Sequence, residues 1–203
     1  PNTLTTRNNL AYAYESAGHL TKATTLYEQL LTDSIRILGE DHPNTLTTRN
    51  NLAYAYESAG HLTKATTLYE QLLTDSIRIL GEDHPNTLTT RNNLAYAYES
   101  AGRLTKAITL YEQLLTDSIR ILGEDHPSTL TSRNNLAYAY ESAGRLTEAT
   151  TLYEQVLTDR TRFLGKDHPD TLATLDALAR AYKDAGFLDK ATALLEGAIP
   201  TEG

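Results

Sequence analysis

The chain repeats itself, and this feature constrains its fold more than any other. The five copies occupy residues 1–42, 43–84, 85–126, 127–168 and 169–203. The first two are identical, the third differs from them only by Arg103 and Ile108, and the last is shorter and more divergent. A unit of this size cannot bury its own apolar face, so neighbouring copies must stack against one another. The period therefore predicts one repeat array over residues 1–203, with an extended surface for recognition.

Each copy has the pattern of two helices. In the first copy, Leu10 and Tyr14 recur at helical spacing, and Gly18 can adopt the left-handed conformation that ends a helix. We expect this helix, helix A, to begin at the proline of each copy, with the preceding histidine, such as His42, at its N-cap. The second helix, helix B, should begin near Thr21 as its N-cap and end at a glycine.

The side chains of helix B divide into an apolar and a polar set. The predicted apolar stripe consists of Leu20, Ala23, Tyr27, Leu30, Leu31, Ile35 and Leu38. The predicted solvent side consists of Thr24, Thr25, Glu28, Gln29, Thr32 and Arg36. A glycine turn between the two helices of a copy makes an antiparallel hairpin. The five copies therefore predict an all-α fold of ten helices.

Composition and motifs narrow the function. The net charge of −8 without a basic cluster disfavours binding to nucleic acid or to an anionic membrane. The connector histidines have no second ligand at helical spacing, and the chain has no cysteine, so no metal site is expected. No phosphate-binding loop or Ser/His/Asp cluster is present, so we expect no catalytic residue, no cofactor and no enzymatic activity. Without a signal peptide or a membrane-spanning run, we expect a cytoplasmic protein.

The spacing of Leu10-Ala11, Tyr14, Gly18, Ala23 and Tyr27 resembles the tetratricopeptide repeat. The 42-residue length, the Leu-Gly-Glu-Asp-His-Pro connector and the Asn-Asn pair of helix A are similar to the longer repeats of kinesin light chains and of bacterial arrays. This resemblance implies a right-handed superhelical solenoid in which the A helices line the concave side. It also implies a peptide or partner protein segment in the concave groove, and a sensor role at the C-terminal part of a larger signalling protein.

One face of helix A carries the candidate binding residues. Thr5, Asn8, Tyr12 and Glu15 lie on this face, because they are separated by three and four residues. Side-chain amides both donate and accept hydrogen bonds, so a row of them suits the backbone of an extended peptide, and tyrosines add flat apolar area. The candidate peptide-binding residues are Asn8, Asn9, Tyr12, Asn50, Asn51, Tyr54, Asn92, Asn93, Tyr96, Asn134, Asn135 and Tyr138.

A structural explanation of the same residues stays open. One asparagine of each pair could bond between neighbouring helices, the tyrosines could pack between adjacent A helices, and Glu15 is interpreted as a solvated charge. The Lys/Arg clamp with which some tetratricopeptide proteins hold a C-terminal carboxylate is absent, which disfavours that class of ligand.

The two ends of the chain differ. The fifth copy replaces the binding residues by Asp176, Ala177, Arg180 and Lys183, and its helix B is expected to end near Ile199-Pro200, as a C-terminal cap does. The first copy has no polar cap, so we expect the natural protein to continue upstream and the uncapped end to favour end-to-end self-association. The alternative function is a structural or self-assembling array, either a natural fragment or engineered; the drift of the last copies favours a natural bacterial array.

Overall fold

A computed structural model describes residues 2–198 of the chain. Within these residues there are ten helices and no strand. The helices are α1 (Asn2–Ser16), α2 (Leu20–Leu38), α3 (Pro43–Ser58), α4 (Leu62–Leu80), α5 (Pro85–Ser100), α6 (Leu104–Leu122), α7 (Pro127–Ser142), α8 (Leu146–Leu164), α9 (Pro169–Asp184) and α10 (Leu188–Ala198). Odd-numbered helices are the A helices and even-numbered helices are the B helices, so the prediction of an all-α hairpin repeat is confirmed.

The start of each A helix after the first follows the predicted cap. His42 has an extended backbone, and its Nδ1 accepts a hydrogen bond from the backbone N–H of Asn44 at 3.1 Å, which satisfies one of the unpaired donors of the first turn. Pro43 occupies the first turn, where its missing N–H costs nothing. At the other end of α2, Gly39 has a φ of +96°, a conformation that a side chain would strain. These caps fix the helix boundaries locally, and the same histidine and proline begin α5, α7 and α9.

Two expectations for helix B are wrong in detail. The helix begins at Leu20 with His19 at the N-cap, and Thr21 lies inside the first turn. The reason is that the His19 carbonyl already accepts the first helical hydrogen bond, from the N–H of Ala23 at 3.0 Å. Thr24 is buried rather than solvated, and Ser34 is buried beside the predicted stripe. The expected end of the last helix near Ile199-Pro200 lies outside the described residues.

The helices form two compact units, Pro1–Arg103 and Leu104–Gly203. In the first unit, each of α1 to α4 packs on the next helix, and a core cluster joins Ala11 and Tyr27 of one copy to Leu52 and Ala55 of the next. In the second unit, α6 to α9 each pack on the next helix in the same way. A single continuous array over residues 1–203 stays a prediction.

Ion pairs and hydrogen bonds that the sequence interpretation missed recur in each unit. The Arg49 guanidinium pairs with the Asp75 carboxylate of the same copy, and Arg133 pairs with Asp159 at 2.9 Å. Between copies, the hydroxyl of Tyr140 donates to Oε1 of Glu112 at 2.7 Å. The first kind of contact joins helix A to helix B within a hairpin, and the second joins helix A to the preceding helix B.

Candidate peptide-binding surface

Most of the predicted candidate residues lie on one face of each A helix, which we call the helix-A face, and the remaining candidates, Asn9, Asn51, Asn93 and Asn135, flank it. It comprises Thr5, Asn8, Tyr12 and Glu15 of α1 and the equivalent residues of α3, α5 and α7. In the first unit the face is carried by α1, α3 and α5, and in the second unit by α7.

The tyrosines of this face are strongly exposed. Tyr12 is 64% exposed and Tyr54, Tyr96 and Tyr138 are between 47% and 52% exposed, whereas the helix B tyrosines, such as Tyr27, are buried. Aromatic side chains of this size are costly to leave in water, and a row of them is typical of an interaction surface. About half or more of the surface of each of these tyrosines is therefore exposed.

The asparagines link neighbouring A helices. In the first unit, Nδ2 of Asn51 donates to Oδ1 of Asn8 at 3.0 Å, and Nδ2 of Asn93 donates to Oδ1 of Asn50 at 3.1 Å. Both asparagines of the adjacent pair Asn50-Asn51 therefore bond between neighbouring A helices. Asn8 and Asn50 nevertheless remain half-buried at the surface. Because an amide nitrogen carries two N–H groups, each of Asn8 and Asn50 has donors in addition to the acceptor used here.

A cleft opens beside each of these two asparagines. The first, with a volume of about 200 Å³, is lined by Leu4, Thr5, Asn8, Leu30, Ser34, Leu38, Asn44, Thr47 and Thr48. The second, of about the same volume, is lined by Pro43 and by the residues equivalent to those of the first cleft, with Leu72 and Ser76 on its helix B wall. Such a cleft is smaller than the roughly 300–1,000 Å³ of a small-molecule site. It suits one side chain of an extended ligand, with an apolar wall and a polar rim.

The glutamates of the helix-A face are not solvated charges, so the sequence interpretation of Glu15 is wrong. Glu15 and Glu57 are half-buried, and burial raises the pKa of both carboxyls above the ordinary value. Oε1 of Glu15 accepts a hydrogen bond from Oγ of Ser58 at 3.3 Å, and Oε1 of Glu57 accepts one from Oγ of Ser100 at 3.0 Å. The neighbouring A helix covers each carboxylate, which the helical periodicity of one copy alone could not indicate.

The fifth copy replaces the tyrosine of the face by a cation. Arg180 of α9 donates from Nε to Oε1 of Glu141 at 2.7 Å and from Nη2 to Oε2 at 3.2 Å. Oε2 of Glu141 also accepts a hydrogen bond from the hydroxyl of Tyr153 at 2.9 Å. The carboxylate side chain is only 10% exposed in this arrangement. In the second unit, the charge of Glu141 on the helix-A face is therefore balanced by Arg180 of the same chain.

A second arginine of the second unit occupies a position equivalent to a residue that lines the clefts of the first unit. Arg160 replaces the serine that lines the clefts of the first unit, and its side chain is buried. Its Nη1 donates to the carbonyl oxygen of Asp170 at 3.0 Å and to Oγ1 of Thr174 at 2.6 Å. Asp170 and Thr174 are equivalent to Asn44 and Thr48 at the first cleft. The arginines at positions 160 and 180 thus both change the surface between the fourth and fifth copies.

The repeated hairpins and their exposed face define a class of helix-turn-helix repeat protein. The tetratricopeptide repeat model matches residues 2–75, 62–117, 92–160 and 134–200. The chain belongs to the tetratricopeptide repeat family. Proteins of this family are generally non-catalytic scaffolds that typically mediate protein–protein interaction.

Two groups of solved structures are similar to the chain. The nearly identical, kinesin-light-chain-like TPR repeats of Podosopora anserina and a variant of the same repeats are both 34% identical, with TM-scores of 0.86 and 0.87 respectively. The match covers 98% of this chain and 94% and 93% of those chains respectively. BtubC (BKLC) from P. vanneervenii is 28% identical with a TM-score of 0.80, over 93% of this chain and 75% of that chain. These matches confirm the kinesin-light-chain-like repeat type. No curated protein matches the chain.

The described residues contain no group of three or more His, Cys, Asp or Glu side chains that could hold a metal ion. None of the described helices combines the length and the apolar character that crossing a bilayer requires.

Proposed function

We propose that the chain binds an extended peptide segment of a partner protein on its helix-A face. In this proposal the clefts beside Asn8 and Asn50 receive side chains of the ligand, and the tyrosines cover its backbone. The amide donors of the same two asparagines bond to the backbone carbonyl groups of the ligand.

The observation that carries the proposal is the repetition of the same small cleft in consecutive copies of the first unit, each lined by an asparagine that lies four residues before an exposed tyrosine of the same helix. A site for a small molecule would be one larger cavity, whereas a series of equal, side-chain-sized clefts matches a chain-like ligand. The exposed rings supply the large, rigid contact area on which interfaces depend.

The experiment is a selection of 12-residue peptides from a displayed random library on the immobilised protein, followed by affinity measurements with the selected peptides. We expect Tyr54→Ala and Tyr96→Ala each to weaken binding about tenfold, as expected for aromatic anchors. Both side chains are exposed, so both variants should keep the helical circular dichroism of the parent.

The control is the pair Gln29→Ala and Gln71→Ala, which changes exposed side chains of helix B in the same unit. These changes should leave the affinity unaltered. A selection that yields no peptide sensitive to Tyr54→Ala or Tyr96→Ala would contradict the proposal.

Self-association is a second candidate, which a separate observation favours. Leu10 is 47% exposed, whereas its equivalents Leu52, Leu94 and Leu136 are at most 4% exposed. At Leu52 the cover is the preceding helix B, through Tyr27 and Leu30.

At the other end of the chain, α10 exposes apolar side chains, Leu188 at 59% and Leu195 at 43%. We propose that α10 of a second copy covers the Leu10 face of α1, a head-to-tail contact that can continue into longer assemblies.

Light scattering over a concentration series tests this candidate. We expect the average mass of the parent to rise with concentration, and Leu10→Lys to abolish the rise because a charge would be buried in the contact. The matched control is Ile37→Lys, which places the same charge at a site that is 53% exposed. A monomeric parent at all concentrations would rule out self-association without affecting the peptide-binding proposal. The sensor role in a larger signalling protein stays a prediction of the family resemblance.

A further inference from the structure

Among the residues that the structure describes, two carboxylates of the helix-A face have a serine as their only polar partner. Within the described residues, Glu15 bonds to Ser58 and Glu57 bonds to Ser100, and neither carboxylate has an ion-pair partner. Both are half-buried, and burial raises the pKa of each. A partly desolvated negative charge without a cation is unfavourable, so each position would be stabilised by a positive group from outside the chain.

A buried hydroxyl within electrostatic reach of one of these carboxylates has no hydrogen-bond partner in the described part of the chain. This hydroxyl belongs to Tyr69 of α4, which is completely buried. The negative charge of Glu57 is close enough to contribute, after burial, to the raised pKa of Tyr69. Buried hydroxyls are nearly always paired, so this one marks an incomplete polar arrangement at Glu57.

The second unit contains the complete arrangement. There, Glu141 accepts hydrogen bonds from the guanidinium of Arg180 and from the hydroxyl of Tyr153. Glu141 is the equivalent of Glu57, and Tyr153 is the equivalent of Tyr69. Arg180 comes from the position that a tyrosine occupies in the other copies, so it reaches the carboxylate from the exposed side of the face. The missing component at Glu57 is therefore a cation that approaches from the surface.

We infer that the peptide ligand is basic, and that arginine or lysine side chains of the ligand pair with Glu15 and Glu57 as Arg180 pairs with Glu141. This inference rests on the proposed peptide-binding function and specifies its ligand. Arginine fits better than lysine, because Arg180 donates from both Nε and Nη2 to the two oxygens of one carboxylate, a geometry that suits the planar guanidinium. The net charge of −8 on the chain favours the approach of the same class of partner.

The general spacing of packed helices suggests a spacing for the basic residues of the ligand. Neighbouring helices lie about 8–10 Å apart, and a polyproline II peptide advances about 9 Å in three residues, with every third side chain on the same side. One basic residue at every third position would therefore meet Glu15 and Glu57 in turn. In a conventional β-strand, side chains alternate between the two faces, so residues three positions apart would point in opposite directions.

Four fluorescein-labelled 12-residue peptides test the inference by fluorescence anisotropy. The first has four Arg-Pro-Ser triplets, the second has the same composition with four consecutive arginines, and the third and fourth have Gln or Glu in place of every Arg. We expect the triplet arginine peptide to bind at least about tenfold more tightly than the Gln and Glu peptides, and more tightly than the clustered one. Its affinity should fall as salt is raised.

Variants locate the effect. Glu57→Gln keeps the size and polarity of the side chain. It should weaken binding of the triplet arginine peptide about tenfold. Glu82→Gln removes the same charge from an exposed connector residue and should leave the affinity within about twofold, as expected for a distant surface charge. An equal loss with both variants would mean that only the net charge matters and would overturn the inference.

The remaining outcomes separate the inference from the function on which it rests. If the Gln or Glu peptide binds as well as the arginine peptide, or if the random library yields tyrosine-dependent binders without basic residues, the ligand class is wrong but peptide binding stands. If neither the four peptides nor the library yields a binder that depends on Tyr54 or Tyr96, both proposals fail.

Discussion

At the residue scale, the same side chain has different surroundings in different copies. Tyr12 and its equivalents were recognisable in the sequence, because they lie away from the apolar stripe of helix A. Glu15 was misread as a solvated charge, since its burial involves a neighbouring A helix that bonds to it through Ser58, 43 residues further along the chain. The departure of Arg180 from the repeat was visible, but its meaning depended on the contact with Glu141.

Burial of Glu57 gives a testable pH dependence of stability. Its pKa is raised in the folded state, so the folded protein holds this proton more tightly than the unfolded chain does. The contribution to stability is therefore complete below the ordinary pKa of about 4.3 and is lost as the pH rises through the folded-state value. We expect Glu57→Gln to stabilise the protein relative to the parent more at pH 7 than at about pH 4.

Urea unfolding of the two proteins at both pH values measures this difference. Tyr69→Phe is a useful companion, because it removes the unpartnered hydroxyl and should not destabilise the protein at either pH. A relative stability of Glu57→Gln that is the same at both pH values would contradict the assigned burial.

At the scale of the helical element, local signals determined most boundaries. The proline, the preceding histidine and the glycine of each copy are caps that act within a few residues, so they were readable from the sequence. The pairing of Arg49 with Asp75 was missed, although its signal was present: four copies keep both residues, and the fifth has Leu175 and Thr201 at the two positions. Residues that are kept together and lost together indicate contact.

This ion pair gives a prediction for the hairpin. Arg49 is buried and Asp75 is partly exposed, so Arg49→Leu leaves the partly desolvated carboxylate with the exposed Arg78 as its remaining partner. The change should destabilise the protein by about 1–3 kcal/mol, less than the loss of a fully buried pair. The double variant Arg49→Leu/Asp75→Thr copies the fifth repeat and should recover part of that loss. Urea midpoints of Arg49→Leu, Asp75→Thr and the double variant test the energetic coupling between the two side chains. If the losses of stability in the two single variants add up in the double variant, the coupling is excluded.

At the scale of the whole molecule, the identity of the first two copies offers a direct test of repeat behaviour. Stability of a repeat protein is approximately a sum of repeat and interface contributions. Deleting residues 43–84 joins two sequences that are already neighbours in the parent, because residue 42 is again followed by the start of an intact copy. The deletion should therefore keep the helical content per residue and lower the urea midpoint.

A deletion of residues 43–63 is the matched control for this test. It removes half a copy, so it brings together helix faces that do not complement each other and should reduce the helical content itself. Equal effects of the two deletions on circular dichroism would contradict a modular fold.

The sequence by itself determined the repeat, the helical hairpins, their caps and the face of helix A that carries the candidate residues. These follow from period, spacing and local capping, which act over a few residues and are copied with each repeat. Only the tertiary structure decided which polar groups are desolvated and what they contact: Glu57 beside Tyr69, Arg49 with Asp75, and Asn51 with Asn8. The physical reason is that burial depends on neighbours brought from 12 to 43 residues away. Identical sequences therefore acquire different surroundings in different copies, as the exposed Leu10 and its buried equivalent Leu52 show.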